Sequence, residues 1–211
     1  MLHTLPMGPL GANCYVWENG REALAIDASD AAKVLAFLNS RHLSLTHLVL
    51  THRHFDHLAG AAQLQKETGC RVLIHPSDAD GLRSAKAAHA AMMQGAFTPC
   101  EPSDLLENGD TVEAAGLRLS VLHTPGHTAG GITLVSDENR FAFTGDTVFY
   151  EGVGRTDLPT GDVRELMRSL ERILVLPPSY VLYPGHGEPT TVDHESVFNP
   201  LLQYRSHAWF N

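Results

Sequence analysis

The chain has 211 residues, 43% of them hydrophobic, which is enough for one well-buried core, so we expect a single domain spanning residues 1–211. Its formal net charge of -9 disfavours a nucleic-acid partner, because binding to a polyanion draws on a basic patch. No stretch reaches the roughly 18 apolar residues of a membrane span, and the N-terminus lacks a basic leader. We therefore expect a cytoplasmic protein that does not bind membranes.

Short apolar, β-branched runs closed by turn residues alternate along the chain with helical patterns. The runs predict strands over residues 13–18, 22–28, 45–52, 71–75, 117–124, 131–136, 140–145 and 180–185. Asn19-Gly20 and the segment 136–139 have the composition of tight turns, so several strand pairs should be antiparallel. These elements predict an α/β fold, with a mixed sheet or two packed sheets and outer helices.

Two segments have helical periodicity. Residues 31–38 place apolar side chains on one helical face after a cap residue, Ser29 or Asp30. In the second helix, Asp162 and Glu165 resemble a capping box. Its predicted buried stripe comprises Val163, Leu166, Met167, Leu170 and Ile173.

The three cysteines are Cys14, Cys70 and Cys100. An odd number at such wide spacing is typical neither of a disulfide framework nor of a thiolate zinc site. We expect all three to be small buried side chains.

The segment THRHFDH (51–57) brings three imidazoles and a carboxylate within six positions: His52, His54, Asp56 and His57. Protonated histidines this close would repel one another, whereas a bound metal keeps imidazoles neutral. Side chains alternate along an extended loop, so His52, His54 and Asp56 would face one way and His57 the other. The segment could then serve two metal centres.

Three further metal-ligand residues each follow an apolar run and a glycine turn: His127, Asp146 and His186. Residues at equivalent ends of neighbouring strands converge at the edge of a sheet. One tetrahedral ion takes about four ligands, so seven residues predict two ions. Asp146 would bridge them, since a carboxylate has two oxygens. Histidine and carboxylate ligands suit Zn²⁺ and also Fe or Mn.

We assign the remaining histidines to the core or the surface; His47 and His123, on strands that lead to the site, are the two that could instead support the ligands from outside. The stretch KAAHAAMMQGAF (86–97) predicts a helix that either covers the mouth of the site or, as the preferred alternative, packs on the core. Trp209 and Phe210 could pack on the chain's own core or on a second subunit, which leaves the oligomeric state open.

The order of the ligand motifs resembles the metallo-β-lactamase superfamily, whose signature is T-H-x-H-x-D-H followed by P-G-H, G-D and G-H. Here these motifs are THRHFDH, TPGHT (124–128), TGDT (144–147) and PGHG (184–187), and the likeness spans roughly residues 13–199. The resemblance implies a four-layer αββα sandwich with the metal ions at one edge of its two sheets.

The resemblance also implies how the ligands divide. The first metal would be bound by His52, His54 and His127, the second by Asp56, His57 and His186, and Asp146 would bridge. β-Lactamases place a cysteine ligand at the position of Asp146, which disfavours antibiotic hydrolysis. The nucleic-acid-processing branch carries a large additional domain that 211 residues cannot hold.

Within the superfamily, the segment 145–162 and the phrase FNPLL (198–202) are similar to short glyoxalase II-like hydrolases. This likeness implies a thioesterase of the hydroxyacylglutathione hydrolase type, which cleaves S-acylglutathione-type thioesters with a hydroxide that bridges two metals. Asp56 would help to orient that hydroxide besides binding metal.

Arg155 falls where larger glyoxalase II enzymes have a lysine that holds the tail of the substrate, and its guanidinium suits a carboxylate. The alternative is an ion pair with Asp157 in the same loop. Those larger enzymes also have a C-terminal helical domain with glutathione contacts, whereas this chain ends soon after His186. The substrate would thus be a small thioester whose link to glutathione stays open.

Two further hypotheses remain. The segment GRTD also occurs in persulfide dioxygenases, where a single iron held by His52, His127 and Asp146 would oxidise glutathione persulfide. A non-catalytic metal-binding domain is the third, and the complete ligand set argues against it.

Overall fold

Two six-stranded sheets form the centre of the computed structural model, which describes residues 1–89 and 97–203. The first sheet contains, in spatial order, β1 Leu2–Met7, β2 Ala12–Asn19, β3 Glu22–Ile26, β4 Ser44–Val49, β5 Arg71–Ile74 and β6 Asp104–Leu105. The second contains β7 Thr111–Ala114, β8 Leu117–His123, β9 Ile132–Ser136, β10 Phe141–Gly145, β13 Val181–Pro184 and β14 Thr190–Thr191. A small hairpin pairs β11 Val148–Phe149 with β12 Gly152–Val153.

Both sheets are mixed, as expected. In the first, β1, β2 and β3 are antiparallel and β3 to β6 are parallel. In the second, the order is β14, β13, β10, β9, β8, β7, and the β10–β13 pair is parallel. The two tight turns are confirmed, because Asn19 pairs with Glu22 and Ser136 pairs with Phe141 in antiparallel register.

Alternate residues along the strands face different apolar layers, which gives the sandwich its four layers. Leu24 of β3 and Phe143 of β10 share the layer between the two sheets. Ala25 of β3 instead packs outward with Val34. Ala142 of β10 packs on the opposite outer side. The predicted αββα architecture is confirmed.

The helices cover the two outer faces. They are α1 Ala31–Arg41, α2 Phe55–Leu58, α3 Ala61–Thr68, α4 Asp80–Arg83, α5 Val163–Leu174, α6 Val192–Phe198 and α7 Pro200–Gln203. Helix α1 begins at the predicted cap Asp30, whose side chain accepts a hydrogen bond from Lys33 N. In the described ranges, no helix has both the length and the apolar character that a membrane crossing requires.

Helix α5 confirms the cap but corrects part of the predicted stripe. Asp162 accepts from the backbone N–H groups of Arg164 and Glu165. Val163 is 50% exposed and Met167 is only half-buried, because the buried face is centred on Leu166, Leu170 and Ile173 and these two residues lie to its side.

Three other sequence expectations concern side-chain placement. All three cysteines are free, and Cys14 and Cys70 are buried as expected, but Cys100 is only half-buried. Most of the stretch 86–97 lies outside the described residues, and so do Trp209 and Phe210.

Candidate metal centre

The seven candidate ligands come together at one edge of the two sheets, each from a segment that follows a strand. His52 and His54 follow β4, and His127 follows β8. Asp146 comes directly after β10, and His186 follows β13. The two sheets are joined at this edge by a hydrogen bond from Ile132 N to Thr51 O.

The expected extended conformation of the segment 51–57 is wrong for its second half. Residues Phe55–Leu58 form the short helix α2, so Asp56 and His57 lie on a helical turn. The helical turn separates Asp56 from His52 and His54, whereas the sequence predicts that these three side chains face the same way. Both halves of the segment still reach the same site.

Three histidines form the first group. The ligand atoms of His52, His54 and His127 all lie within 4.8 Å of one another. His54 Nδ1 is 2.8 Å from His127 Nε2. Burial and the neighbouring imidazoles lower the pKa of His52, and burial followed by the charge of His127 lowers the pKa of His54 to about 3. Both are therefore neutral at physiological pH, with lone pairs available to a cation.

A carboxylate and two histidines form the second group. The ligand atoms of Asp56, His57 and His186 also lie within 4.8 Å of one another. His186 Nε2 is 3.2 Å from His57 Nε2 and 3.3 Å from Asp56 Oδ2. Burial lowers the pKa of His57, but the carboxylates of Asp146 and Asp27 outweigh it and raise that pKa to about 10. The second group therefore strongly attracts positive charge.

Asp146 lies between the two groups and contacts both. Its Oδ2 is 3.4 Å from His127 Nε2 and 3.6 Å from His186 Nε2. Its Oδ1 is 3.4 Å from His57 Nε2. This carboxylate has the position of a bridging ligand between the groups.

Contacts outside the groups determine which nitrogen of each imidazole faces the centre. His127 Nδ1 donates to the carbonyl of Arg155 at 2.7 Å, and His186 Nδ1 donates to the carbonyl of Leu10 at 3.1 Å. Since a carbonyl can only accept, each Nε2 of the neutral imidazole carries a lone pair toward the centre.

The donor atoms fit a cation. His57 Nδ1 donates to the Asp27 carboxylate, so once a cation replaces the proton that the raised pKa keeps on His57 Nε2, this atom and His186 Nε2, 3.2 Å apart, would both present lone pairs to it. His52 Nε2 and Asp146 Oδ1 are buried without a hydrogen-bond partner among the described residues. Buried acceptors without a partner are stabilised when a metal ion lies between them.

Asp27 is a residue that sequence reasoning missed. It is buried at the end of β3 with a φ of +56°, a conformation uncommon outside glycine. Its carboxylate accepts from Thr51 N and Thr51 Oγ1, both at 2.7 Å, and from His57 Nδ1 at 2.8 Å. The one sign of Asp27 in the sequence is that a charged residue directly follows the apolar run EALAI (22–26).

His47 and His123 do not have the supporting role that the sequence left open for them. His47 Nδ1 contacts Thr46 Oγ1, and His123 Nε2 contacts the carbonyl of Ala129. Both belong to strands rather than to the loops at the strand ends, and the supporting groups come from those loops.

Glycine is required at two turns beside Asp146. A Cβ atom on Gly185 would overlap Asp146 Oδ1 and lie 2.8 Å from His57 Cε1. One on Gly154 would overlap the backbone oxygen of Asp146 and lie 2.9 Å from His127 Nδ1. These turns can approach the centre only without a side chain.

A cavity of about 970 Å³ opens onto the centre. Five of the seven candidate ligands line it: His54, Asp56, His127, Asp146 and His186. The rest of the wall combines apolar side chains with polar and charged ones, which include the cations Arg53, Lys86 and Arg155 and the carboxylate of Asp80. This volume lies in the range of small-molecule sites, about 300–1,000 Å³.

Arg155 lines the cavity and also pairs with Asp157, the alternative raised by the sequence. Its Nε and Nη2 donate to the two carboxylate oxygens at 2.7 and 2.6 Å. Both side chains are more than half exposed. An exposed pair of this kind is weak enough to open for a ligand.

The family model of the metallo-beta-lactamase superfamily matches residues 7–186. The chain belongs to this superfamily. Hydroxyacylglutathione hydrolase GloC of Haemophilus influenzae is 31% identical, over 97% of this chain and 99% of that protein. An uncharacterized protein of Mycobacterium tuberculosis, Rv2581c, is 35% identical, over 94% and 96% respectively.

Solved superfamily structures show the same fold. The B3 metallo-beta-lactamase BLEG-1 superposes with a TM-score of 0.89 at 31% identity, covering 96% of this chain and 99% of that one. A di-iron-bound form of TTHA1623 has a TM-score of 0.85 at 36% identity, covering 94% and 98%. ETHE1 from Myxococcus xanthus has a TM-score of 0.77 at 27% identity, covering 95% and 83%. The chain is thus a metallo-hydrolase superfamily member with a fold that binds divalent metals.

Proposed function

We propose that this chain is a thioesterase that hydrolyses S-acylglutathione-type thioesters with two bound metal ions. The observation that carries the proposal is the position of Asp146, whose carboxylate contacts both groups at the cavity wall. The similarity to a hydroxyacylglutathione hydrolase supports the substrate class. The protein would act as one domain, residues 1–211, in the cytoplasm.

The proposed ligands divide between the two metal ions in the same way as they divide between the two groups. His52, His54 and His127 would hold the first ion, Asp56, His57 and His186 the second, and Asp146 would bridge. Zn²⁺ suits this mixture of imidazole and carboxylate best. The di-iron form of TTHA1623 supports iron as an alternative, and Mn would also suit the ligands.

Two divalent ions held by these residues would lower the pKa of bound water and so supply hydroxide near neutral pH. Asp56 lies at the cavity wall, where its carboxylate can accept a hydrogen bond from that nucleophile and aim it. Burial raises the pKa of Asp56, but the hydrogen bond with His186 and the charge of His57 lower it to about 2. Asp56 is therefore ionised at working pH and is an acceptor only.

The departure of the thiol needs little help from the protein. A thiolate is a good leaving group, so thioester hydrolysis needs no dedicated general acid. Arg155 would bind a carboxylate on the tail of the substrate by exchanging its partner Asp157. This role makes an anionic, glutathione-like thiol carrier the favoured substrate.

Two other reactions can be tested on the same site. A single iron on His52, His127 and Asp146 would make it a persulfide dioxygenase, and the di-iron form of TTHA1623 supports iron as the metal but not the single-iron arrangement. Hydrolysis of β-lactams is the second, because BLEG-1 is a β-lactamase with a similar fold. The presence of Asp146 in place of a cysteine still predicts against it.

Three parallel assays on Zn²⁺-loaded and Fe²⁺-loaded protein separate these reactions. They follow thiol release from S-lactoylglutathione, oxygen uptake with glutathione persulfide, and ring opening of a chromogenic cephalosporin. We expect thiol release to exceed the other two rates by at least 100-fold, and Asp146→Asn to abolish it. Oxygen uptake as the dominant reaction would overturn the proposal.

A further inference from the structure

A buried carboxylate outside the seven ligands connects the two loops of the first group. Asp78 ends a 3-10 turn, Pro76–Asp78, that follows β5, and its side chain is fully buried. It does not line the cavity, and no described interaction joins it to the second group. The proposed reaction mechanism assigns no role to Asp78.

The hydrogen bonds of Asp78 reach both loops. Oδ2 accepts from the backbone N–H of Arg53 at 3.1 Å and from Thr128 Oγ1 at 2.6 Å. Oδ1 accepts from Gly130 N at 3.0 Å. Arg53 lies between His52 and His54 in the sequence, and Thr128 directly follows His127. One carboxylate therefore joins the backbones that carry all three histidines of the first group.

The packing around Asp78 leaves little freedom. A Cβ atom on Gly130 would lie 2.5 Å from Asp78 Cγ, so only glycine permits this approach. The guanidinium of Arg53 lies 4.0 Å from Asp78 Oδ1, while its Nη2 donates to Asp80 at 2.8 Å. A buried carboxylate whose nearest cation is this distant is stabilised mainly by the donors of the two loops.

We propose that Asp78 is a positioning residue for the first metal ion. It holds the loop of His52 and His54 and the loop of His127 at the separation that lets the three imidazoles share one ion. The proposal rests on the metal centre proposed above. The proposal predicts that loss of Asp78 weakens the first metal site and not the second. The second group is held by other contacts, from Asp27 and from the carbonyl of Leu10.

Each metal site can be measured alone in a chain that lacks a ligand of the other. His186→Ala leaves the first group complete, and His54→Ala leaves the second group complete. We would add Asp78→Asn to both backgrounds and measure Zn²⁺ affinity by competition with a chromophoric chelator. The expected result is a 10- to 100-fold weaker first site, as is typical for a residue that orients metal ligands, and less than a threefold change at the second.

Glu195→Gln is the matched control. Glu195 is also fully buried and accepts three hydrogen bonds, from Glu151 N, Thr190 Oγ1 and Asn199 Nδ2, but none from the candidate ligands. We expect it to lower thermal stability while leaving both Zn²⁺ affinities within threefold. If Asp78→Asn does not fold, Thr128→Val removes one bond to Asp78 and should weaken the first site 3- to 10-fold.

The outcomes are distinct. Equal weakening of both sites by Asp78→Asn, or no weakening of the first, would overturn the positioning role. An unmutated chain that binds fewer than two ions would instead overturn the proposed metal centre, and the inference about Asp78 with it. Selective weakening of the first site, with the control unaffected, supports both.

Discussion

The carboxylate of Asp27 lies 2.8 Å from Nδ1 of His57, and it fixes which nitrogen of that imidazole faces the second group. Asp27 also accepts two hydrogen bonds from Thr51, the residue directly before His52. Through these contacts one buried side chain orients residues on both sides of the centre. This arrangement is typical of residues that tune metal ligands from outside.

Asp27→Asn should weaken metal binding at the second group by about 10- to 100-fold. An amide cannot accept all three hydrogen bonds with the carboxylate's geometry, so we also expect a stability loss of about 1–3 kcal/mol. Zn²⁺ titration of the His54→Ala chain, with and without Asp27→Asn, measures the first effect, and urea unfolding measures the second. An unchanged affinity would show that Asp27 is a structural residue only.

Asp146→Ala should lower kcat for thioester hydrolysis by at least about 100-fold, since even residues that merely orient ligands are worth about 10- to 100-fold. The metal-free chain should still fold, because the Asp146 side chain makes no hydrogen bond among the described residues and only ion-pair contacts, at 3.4 to 3.6 Å, with His57, His127 and His186. Circular dichroism and the Tm of the metal-free protein provide the control. Retained turnover in a folded variant would contradict the bridging role.

Gly185→Ala should reduce both metal affinity and turnover by at least about 10-fold, because the new methyl group would overlap the carboxylate of Asp146. Gly152→Ala is the matched control: its Cβ would meet no atom closer than 3.7 Å. We expect that variant to behave like the unmutated chain in metal titration and in steady-state kinetics. Equal effects of the two substitutions would argue against steric control at Gly185.

Arg155→Ala should raise KM for S-lactoylglutathione about 3- to 10-fold with little change in kcat, the pattern of a lost ground-state contact. Asp157→Asn frees the guanidinium from its partner and should lower KM for the same substrate. A thioester without a carboxylate serves as the control, since neither substitution should affect it. Lys86→Ala tests the other exposed cation of the cavity wall. A KM that is unaffected by Arg155→Ala would remove this residue from the substrate site.

Acid should destabilise the fold through His75. Burial, followed by the neighbouring His123, lowers the pKa of His75 from 6.5 to about 4. The unfolded chain therefore takes up a proton below pH 6.5 while the folded chain does not, and stability falls between pH 6.5 and 4. With allowance for screening by water, we expect a loss of about 1–2 kcal/mol from this group.

His75→Asn isolates that contribution. Its side-chain oxygen can replace His75 Nδ1 as the acceptor for Ser77 N. Chemical unfolding of both proteins at pH 4, 5, 6 and 7 should show a flatter pH dependence for the variant. Parallel curves for the two proteins would mean that His75 does not contribute.

The sequence predicted the strands that are buried on a face and missed those at sheet edges. The eight expected strands are all present, with ends that differ by a few residues. Strands β1, β6, β7 and β14 were not expected, and they are the edge strands of the two sheets; the small hairpin of β11 and β12 was not expected either. Edge strands are only partly buried, and β1 also contains Pro6, so their patterns are weak.

The ligand motifs were visible in the sequence because they follow strands and glycine turns. Their supporting residues were not. Asp27 and Asp78 act through contacts with residues at least 24 positions away, such as Thr51 and Arg53. No local period or motif encodes such pairs, and a buried aspartate looks like a turn aspartate until the fold brings its partners together.

The metal content of protein purified without added metal, measured together with thiol release from S-lactoylglutathione on the same sample, tests the central claim most directly. We expect about two metal ions per chain, and loss and recovery of thiol release as the ions are removed with a chelator and restored. One iron per chain with oxygen uptake on glutathione persulfide and no thiol release would contradict the account.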